Sequence, residues 1–369
     1  MNKINLSVYK NSNQYFIFYD IKIKEIYSNK EYYLESKDIS PSSYRRAKQK
    51  PSKKGVEILK KLNDEFSLKM INEKIIDKIE KKLNIIYNNI YYKKDNCYID
   101  DMNWIDDYLE KKYIIMPILL LFKLLLLTSQ NSNPKKIIHE NRELYKTVKK
   151  YEKFYNSDLL ELLEIIDITF TEEMSVAVLT KTYKNELSYF TLSSKCLLEK
   201  KYIESIFFAE KCKKEFIHKE NAKRIYYINL NLMTIYNHLH RYEECYMLSK
   251  NQMIALESYE YKGFEYETAL KHHVIACLGL KKFNEIDELL KNKKELNITE
   301  TICLLISLFN VDKKEYNETY FNLTNKLQNG KFKEILLILN EILLKKDYKA
   351  IEKLENQKIN VVLLDIIKM

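Results

Sequence analysis

The sequence predicts an all-α protein: a small amino-terminal helical bundle followed by a right-handed solenoid of helical hairpins. Three observations lead there. Only four Gly and four Pro occur in 369 residues, and hairpin-rich β folds and phosphate-cradling loops both need glycine. Hydrophobic residues make up 46% of the chain and aromatics 12%, which supplies a core and argues against disorder. A short phrase also recurs down the second half: Lys201-Tyr202-Ile203-Glu204, Arg241-Tyr242-Glu243-Glu244, Lys282-Phe283-Asn284-Glu285, Glu315-Tyr316-Asn317-Glu318 and Asp347-Tyr348-Lys349-Ala350. Its aromatic anchors lie 40, 41, 33 and 32 residues apart. A period in this range marks stacked helical hairpins, each too small to bury its apolar face alone.

Ile4, Leu6 and Val8 alternate like a strand, but the run is too short to decide. Tyr15, Phe18, Ile21 and Ile26 give a first helix its apolar face, and Asn29 caps a second through Tyr32, Tyr33 and Leu34. Ser40-Pro41 is the clearest helix start in the chain: Ser40 suits the N-cap, and the fixed φ of Pro41 suits the first helical position. Pro51-Ser52-Lys53-Lys54 ends that third helix and opens a fourth, with Val56, Ile58, Leu59, Leu62 and Phe66 as apolar positions. These four helices define a domain over 1–67. Ile71, Ile75, Ile76, Ile79, Leu83 and Ile86 then recur at three- and four-residue steps, an amphipathic helix expected to link the two parts or to dimerise. Tyr113 to Leu127 is apolar except for Lys123. At fifteen residues it is short of the ~20 needed to cross a bilayer, so a buried helix is expected, with Lys123 snorkelling outward. Asn131-Ser132-Asn133-Pro134 reads as a loop. The repeat body is placed at 68–369, with clear repeats from about Asn185.

Charge is unevenly distributed. Residues 1–62 carry 14 Lys/Arg against 6 Asp/Glu, while the remaining 307 carry 48 against 46. A basic head on a nearly neutral body suggests a polyanionic partner for the head. The six cysteines show no CxxC spacing and fall mostly in expected helices, which points to buried free thiols in a reducing cytosol. No signal-peptide core opens the chain, so a cytoplasmic protein without membrane contact is expected. Of the six histidines, four cluster as His238, His240, His272 and His273. The two His–His pairs lack the i, i+4 spacing that puts two ligands on one helix face, and no Asp or Cys is read at a supporting offset, so no metal is expected. Asp100-Asp101 and Asp106-Asp107 around Trp104 read as solvated helix-start charges. No Gly-rich loop, nucleophile elbow or Ser/His/Asp arrangement occurs, so neither an enzyme nor a cofactor is expected.

The four short helices with a capped, basic third member resemble the helix-turn-helix domain of phage-repressor-like regulators, in which the third helix enters the major groove. The resemblance implies that Pro41 to Lys50 is that helix. Ser42, Ser43, Arg45, Arg46 and Gln49 would then contact bases or phosphates, with Tyr44 in the same set. Lys48, Lys50, Lys53 and Lys54 would hold phosphates.

The second half resembles tetratricopeptide repeats, in which an aromatic opens the second helix of each hairpin and small residues come after it. Tyr202 is followed by Ser205, Ala209 and Cys212, and Tyr242 by Cys245 and Ser249. Phe283 is followed instead by Ile286 and Leu290, and the usual Trp and Gly positions are mostly absent. Counting back from Tyr242 and Phe283 places Tyr227, Thr234, Asn237, His238, Thr268, Lys271 and Ile275 on a concave wall, where an Asn amide suits an extended peptide backbone. Taken together, head and body resemble the peptide-pheromone-responsive transcriptional regulators of Gram-positive bacteria and their phages (the Rgg, PlcR and arbitrium-receptor types). That resemblance implies a homodimer binding a double-stranded DNA operator through its head and a short peptide in its groove. A repeat adaptor or response-regulator inhibitor without DNA binding is the alternative.

Overall fold

The computed structural model describes residues 4–11, 13–93, 97–130, 134–171, 185–258, 263–291, 293, 295–327, 330–346, 349–357 and 359–368. Among these the regular structure is helical, and Lys69 and Tyr113 form an isolated parallel bridge. The chain divides into two compact units, Met1–Lys195 and Cys196–Met369.

The first unit contains α1 (Asn13–Ile26), α2 (Lys30–Ser36), α3 (Pro41–Gln49), α4 (Lys53–Glu65), α5 (Glu73–Tyr91), α6 (Tyr98–Glu110), α7 (Met116–Gln130), α8 (Pro134–Lys150) and α9 (Ser157–Phe170). Helix α10 (Glu186–Leu198) spans the boundary. The Ile4–Val8 run is not a strand but leads into a 3-10 turn over Ser7–Lys10, with Ile4, Leu6 and Tyr9 buried. Side chains of α5 stitch it in place: Ile4 N–H donates to Asn84 (2.9 Å) and Leu6 N–H to Glu80 (2.7 Å).

Caps set the boundaries of the first helices. The Asn29 side chain accepts from the N–H groups of Glu31 and Tyr32, Ser40 from that of Ser43, and Ser52 from that of Gly55. Helix α1 packs on α2, α3 and α4. These helices do not stand apart from the rest of the unit, since Phe18 stacks on Tyr151 and the Tyr9 hydroxyl donates to the Phe154 carbonyl at 2.8 Å. Residues 1–67 are therefore part of a compact body that continues to Lys195.

The apolar face of α5 is buried within this unit through Ile76, Ile79, Leu83 and Ile86, so it is not a bare dimerisation surface. Helix α7 is the buried helix expected from its composition, and Lys123 reaches Asp106 at 2.6 Å. Among the described residues no helix is long and apolar enough to cross a membrane. Asp101 corrects the reading of solvated helix-start charges. It is 1% exposed, and it pairs with Lys82 at 2.7 Å and accepts from Asn89 at 2.8 Å. Asn131–Asn133, read as a loop, lie outside the described residues.

The second unit contains α11 (Tyr202–His218), α12 (Ala222–His238), α13 (Tyr242–Glu257), α14 (Phe264–Gly279), α15 (Phe283–Leu290), α16 (Ile298–Val311), α17 (Lys313–Lys326), α18 (Lys331–Lys345), α19 (Ala350–Asn356) and α20 (Val361–Lys368). Consecutive helices pack as hairpins, and α12, α14, α16 and α18 form a row in which each touches the next of the set.

The recurring phrase has a structural meaning. Tyr202, Tyr242 and Phe283 each open a helix, two residues after a residue in the left-handed region: Lys200 (φ 59°), His240 (φ 56°) and Lys281 (φ 58°). At each turn the next N–H closes back at 2.8 Å: Lys201 to Cys196, Arg241 to Tyr236, Lys282 to Cys277. This is the six-to-one bond of a Schellman cap, here built on non-glycine residues. Tyr316 lies in the first turn of α17 instead, and Asp347 and Tyr348 are outside the described residues. Gly279 is needed for packing, because a Cβ there would come within 2.5 Å of the Tyr242 ring.

Candidate functional site

Helix α3 has two faces. Tyr44 and Ala47 point into the bundle, and the Tyr44 hydroxyl donates to Asp20 at 2.9 Å. Tyr44, expected among the DNA contacts, is 1% exposed and is a core residue; Ser43 is buried too. The opposite face exposes Ser42, Arg45, Arg46, Lys48, Gln49 and Lys50, and Lys53 and Lys54 are exposed at the start of α4. Two of these cations are already paired: Arg45 with Glu31, and Lys48 with Asp20 at 2.5 Å. Hydrogen bonds from Lys30, Lys48 and Tyr44 outweigh burial and hold the Asp20 carboxyl below its usual range. The exposed pair Arg45–Glu31 is cheap to break, since surface ion pairs contribute about 0–1 kcal/mol.

The residues counted onto a concave wall are only partly brought together. Thr234 and Asn237 on α12 meet His272 on α14. The Thr234 hydroxyl donates to the Leu230 carbonyl (2.9 Å), so it accepts from His272 Nε2 (3.2 Å), which leaves Nδ1 to accept from the Asn237 amide (3.2 Å). That amide also donates to the His272 carbonyl at 3.3 Å. The network therefore fixes one neutral imidazole tautomer. Burial, with help from the Lys271 and His238 charges, pushes the His272 pKa down to about 3. Asn237 is 2% exposed, so it is not an open groove residue with few packing contacts. Its Oδ1 meets no donor among the described residues. His238 stacks on Tyr202, with ring centroids 5.5 Å apart. Tyr227 is half-buried against the core, Thr268 turns its hydroxyl back to the Phe264 carbonyl, Lys271 is half-buried one residue before His272, and Ile275 is a fully buried core residue, not a wall residue.

The carboxy-terminal helix α20 packs on α14, and the Asp365 charge acts on both His238 and Tyr242. Val362, Leu363 and Leu364 are buried there, so the chain itself covers these three apolar side chains.

One cluster corrects the reading that no Cys lies at a supporting offset from the histidines. His273 and Cys277 lie four residues apart on α14, and Glu285 on α15 joins them, with one ligand atom from each within 4.8 Å of the others. His273 Nε2 is 3.2 Å from Glu285 Oε1, and Nδ1 is 2.8 Å from the Ser249 hydroxyl. The Tyr246 ring stacks on His273 at 4.8 Å, and its hydroxyl donates to Glu285. Burial pushes the Cys277 thiol up to about 12. Burial also lowers the His273 pKa, against the pull of Glu285. Ser249 is wholly buried with its hydroxyl bonded to the Cys245 carbonyl. The Ser249 hydroxyl is therefore shut off from solvent and committed to its own helix. The signal in the sequence was His273-x-x-x-Cys277, which spacings between histidines alone do not reveal.

No protein-family model, curated protein or solved structure matches the chain.

Proposed function

We propose that this chain is a DNA-binding regulator that docks α3 in the major groove of a duplex operator. The observation that carries the reading is the division of α3 into a buried Tyr44/Ala47 face and an outward face of Arg45, Arg46, Gln49 and Lys50. Arg forks match guanine O6 and N7, Gln matches adenine, and Lys53 and Lys54 continue the cationic surface for phosphates. Between residues 41 and 61 there are eight Lys/Arg and one Glu. A half-site reader gains specificity by pairing, so the operator is two-fold and the protein a dimer.

In this reading a short peptide controls the protein through the α12–α14 seam. The support is the buried, unpartnered Asn237 Oδ1, whose amide bonds His272, and the half-buried Lys271 that precedes His272 on α14. A peptide N–H at that oxygen and a terminal carboxylate at Lys271 would satisfy both. Because Asn237 is buried, access requires α12 and α14 to part, so the peptide acts by preferring the opened arrangement.

A second reading, a repeat adaptor without DNA binding, is favoured by α20 packing against α14 and by the Arg45–Glu31 pair. A gel-shift assay on the chain's own upstream region separates the two. A salt-sensitive retarded complex supports the regulator, and its absence at micromolar protein supports the adaptor.

A further inference from the structure

We infer that His273, Cys277 and Glu285 bind a zinc-class divalent cation that clips α14 to α15. The inference is independent of the regulator reading. Its first support is register: residues four apart share a helix face, so His273 and Cys277 offer ligand atoms from adjacent turns of α14. Its second is the turn at Leu280–Lys282, which brings the first turn of α15 back over that face and delivers Glu285.

The distances suit a small tetrahedral ion. Zinc bonds of about 2.0–2.3 Å put neighbouring ligand atoms roughly 3.3–3.7 Å apart, and His273 Nε2 lies 3.2 Å from Glu285 Oε1. All three ligand atoms lie within 4.8 Å of one another, so closing on a cation requires Cys277 Sγ to move by a rotamer adjustment. The supporting contact is also in place. Ser249, donating to the Cys245 carbonyl, accepts from His273 Nδ1 and leaves Nε2 as the ligand nitrogen. A ligating imidazole is commonly oriented by such a bond from its other nitrogen.

The donor set selects the ion. A thiolate, an imidazole and one carboxylate favour zinc over the hard cations magnesium and calcium. On binding, the Cys277 thiol gives its proton to solvent, and thiolate plus carboxylate balance the dication. Two cations oppose binding: Lys250 lies 4.0 Å from Glu285, and Lys282 sits over the Tyr246 ring at 3.5 Å. His273 is 2% exposed and Cys277 0%, whereas the Glu285 side chain is 28% exposed. The ion therefore enters from the Glu285 side, and the fourth position faces water.

Cobalt titration of the full-length, reduced protein tests the site, with Co²⁺ as the probe and Zn²⁺ as the competitor. The expected result is one equivalent bound, with a thiolate-to-cobalt charge-transfer band and the visible bands of a four-coordinate ion, bleached by one equivalent of Zn²⁺. Cys277→Ala abolishes the band, while Cys245→Ala keeps it. Glu285→Gln, at a partly exposed position that folding tolerates, keeps the charge-transfer band but weakens Co²⁺ binding at least tenfold. Absence of a saturable band in the wild type overturns the inference. So does a band that survives Cys277→Ala, or a Glu285→Gln affinity equal to that of the wild type; the last decides the matter even if Cys277→Ala misfolds.

Discussion

Helix α3 and the α12–α14 seam are both rich in polar side chains, and they use them in opposite directions. On α3 the apolar residues turn inward and the polar ones face solvent, so Arg45, Arg46 and Gln49 are available to a partner. In the seam the polar residues turn inward: Thr234 and Asn237 both bond His272 across two helices, with only the Asn237 Oδ1 left over. Polarity alone does not mark a binding surface. What separates the two is burial: the bonds on the outward face of α3 are exposed and cheap to exchange for a partner's, as with Arg45–Glu31, whereas Asn237 holds His272 from a buried position.

The comparison predicts where substitutions cost stability and where they do not. The largest effect is expected at Tyr44. Truncating a buried aromatic to Ala costs about 3–5 kcal/mol, so Tyr44→Ala should lower the urea midpoint sharply. A small change would mean that Tyr44 is not the anchor of α3.

Next comes Asn237. Losing it leaves His272 Nδ1 without its donor, a buried loss of about 1–3 kcal/mol. Stability is therefore expected to fall in Asn237→Ala, and a silent variant in thermal melts would return Asn237 to an open wall.

The third effect is in pH. The His272 pKa lies near 3 when folded, against about 6.5 when unfolded. Its contribution is intact above the unfolded value and declines as pH falls from there toward 3, with a slope of at most about 1.4 kcal/mol per pH unit. His238 and His273 are also lowered and act in the same direction. Urea midpoints at neutral and mildly acidic pH read this slope, and His272→Gln should flatten it. An identical slope in that variant would contradict the assignment.

The smallest effect is a gain. Lys281 holds φ at 58° in the turn before Phe283, a conformation that costs a non-glycine residue about 1 kcal/mol. Lys281→Gly should raise the melting temperature by a few degrees, and a lower one would show that the Lys side chain packs usefully there.

These elements were not equally legible in the sequence. Helix α3 was readable because its signals are local: Ser40 caps it, Pro41 starts it, and charge surrounds it. The burial of Tyr44 was less visible, since a single aromatic in a basic run looks like a surface residue until Ala47 is seen three positions on. The seam was illegible, because Thr234 and His272 lie 38 residues apart in sequence and nothing local pairs them. The left-handed turns before Tyr202, Tyr242 and Phe283 were hidden because Lys or His occupies a place where glycine would have announced it. The His273–Cys277–Glu285 cluster was half legible, since His273 and Cys277 lie four apart on one helix and Glu285 comes across a turn, but the i, i+4 pair went unread because only His–His spacings were compared.

The most direct test of the central claim is a gel shift with the chain's own upstream DNA, comparing the wild type with the Arg45→Ala/Arg46→Ala variant at two salt concentrations. Each lost fork to a base is worth about 1–3 kcal/mol, so the double variant should bind at least tenfold more weakly. Its circular dichroism and melting temperature should be unchanged, since both side chains are exposed. Equal affinity of the two proteins, or no salt-sensitive complex with either, would contradict DNA recognition by α3.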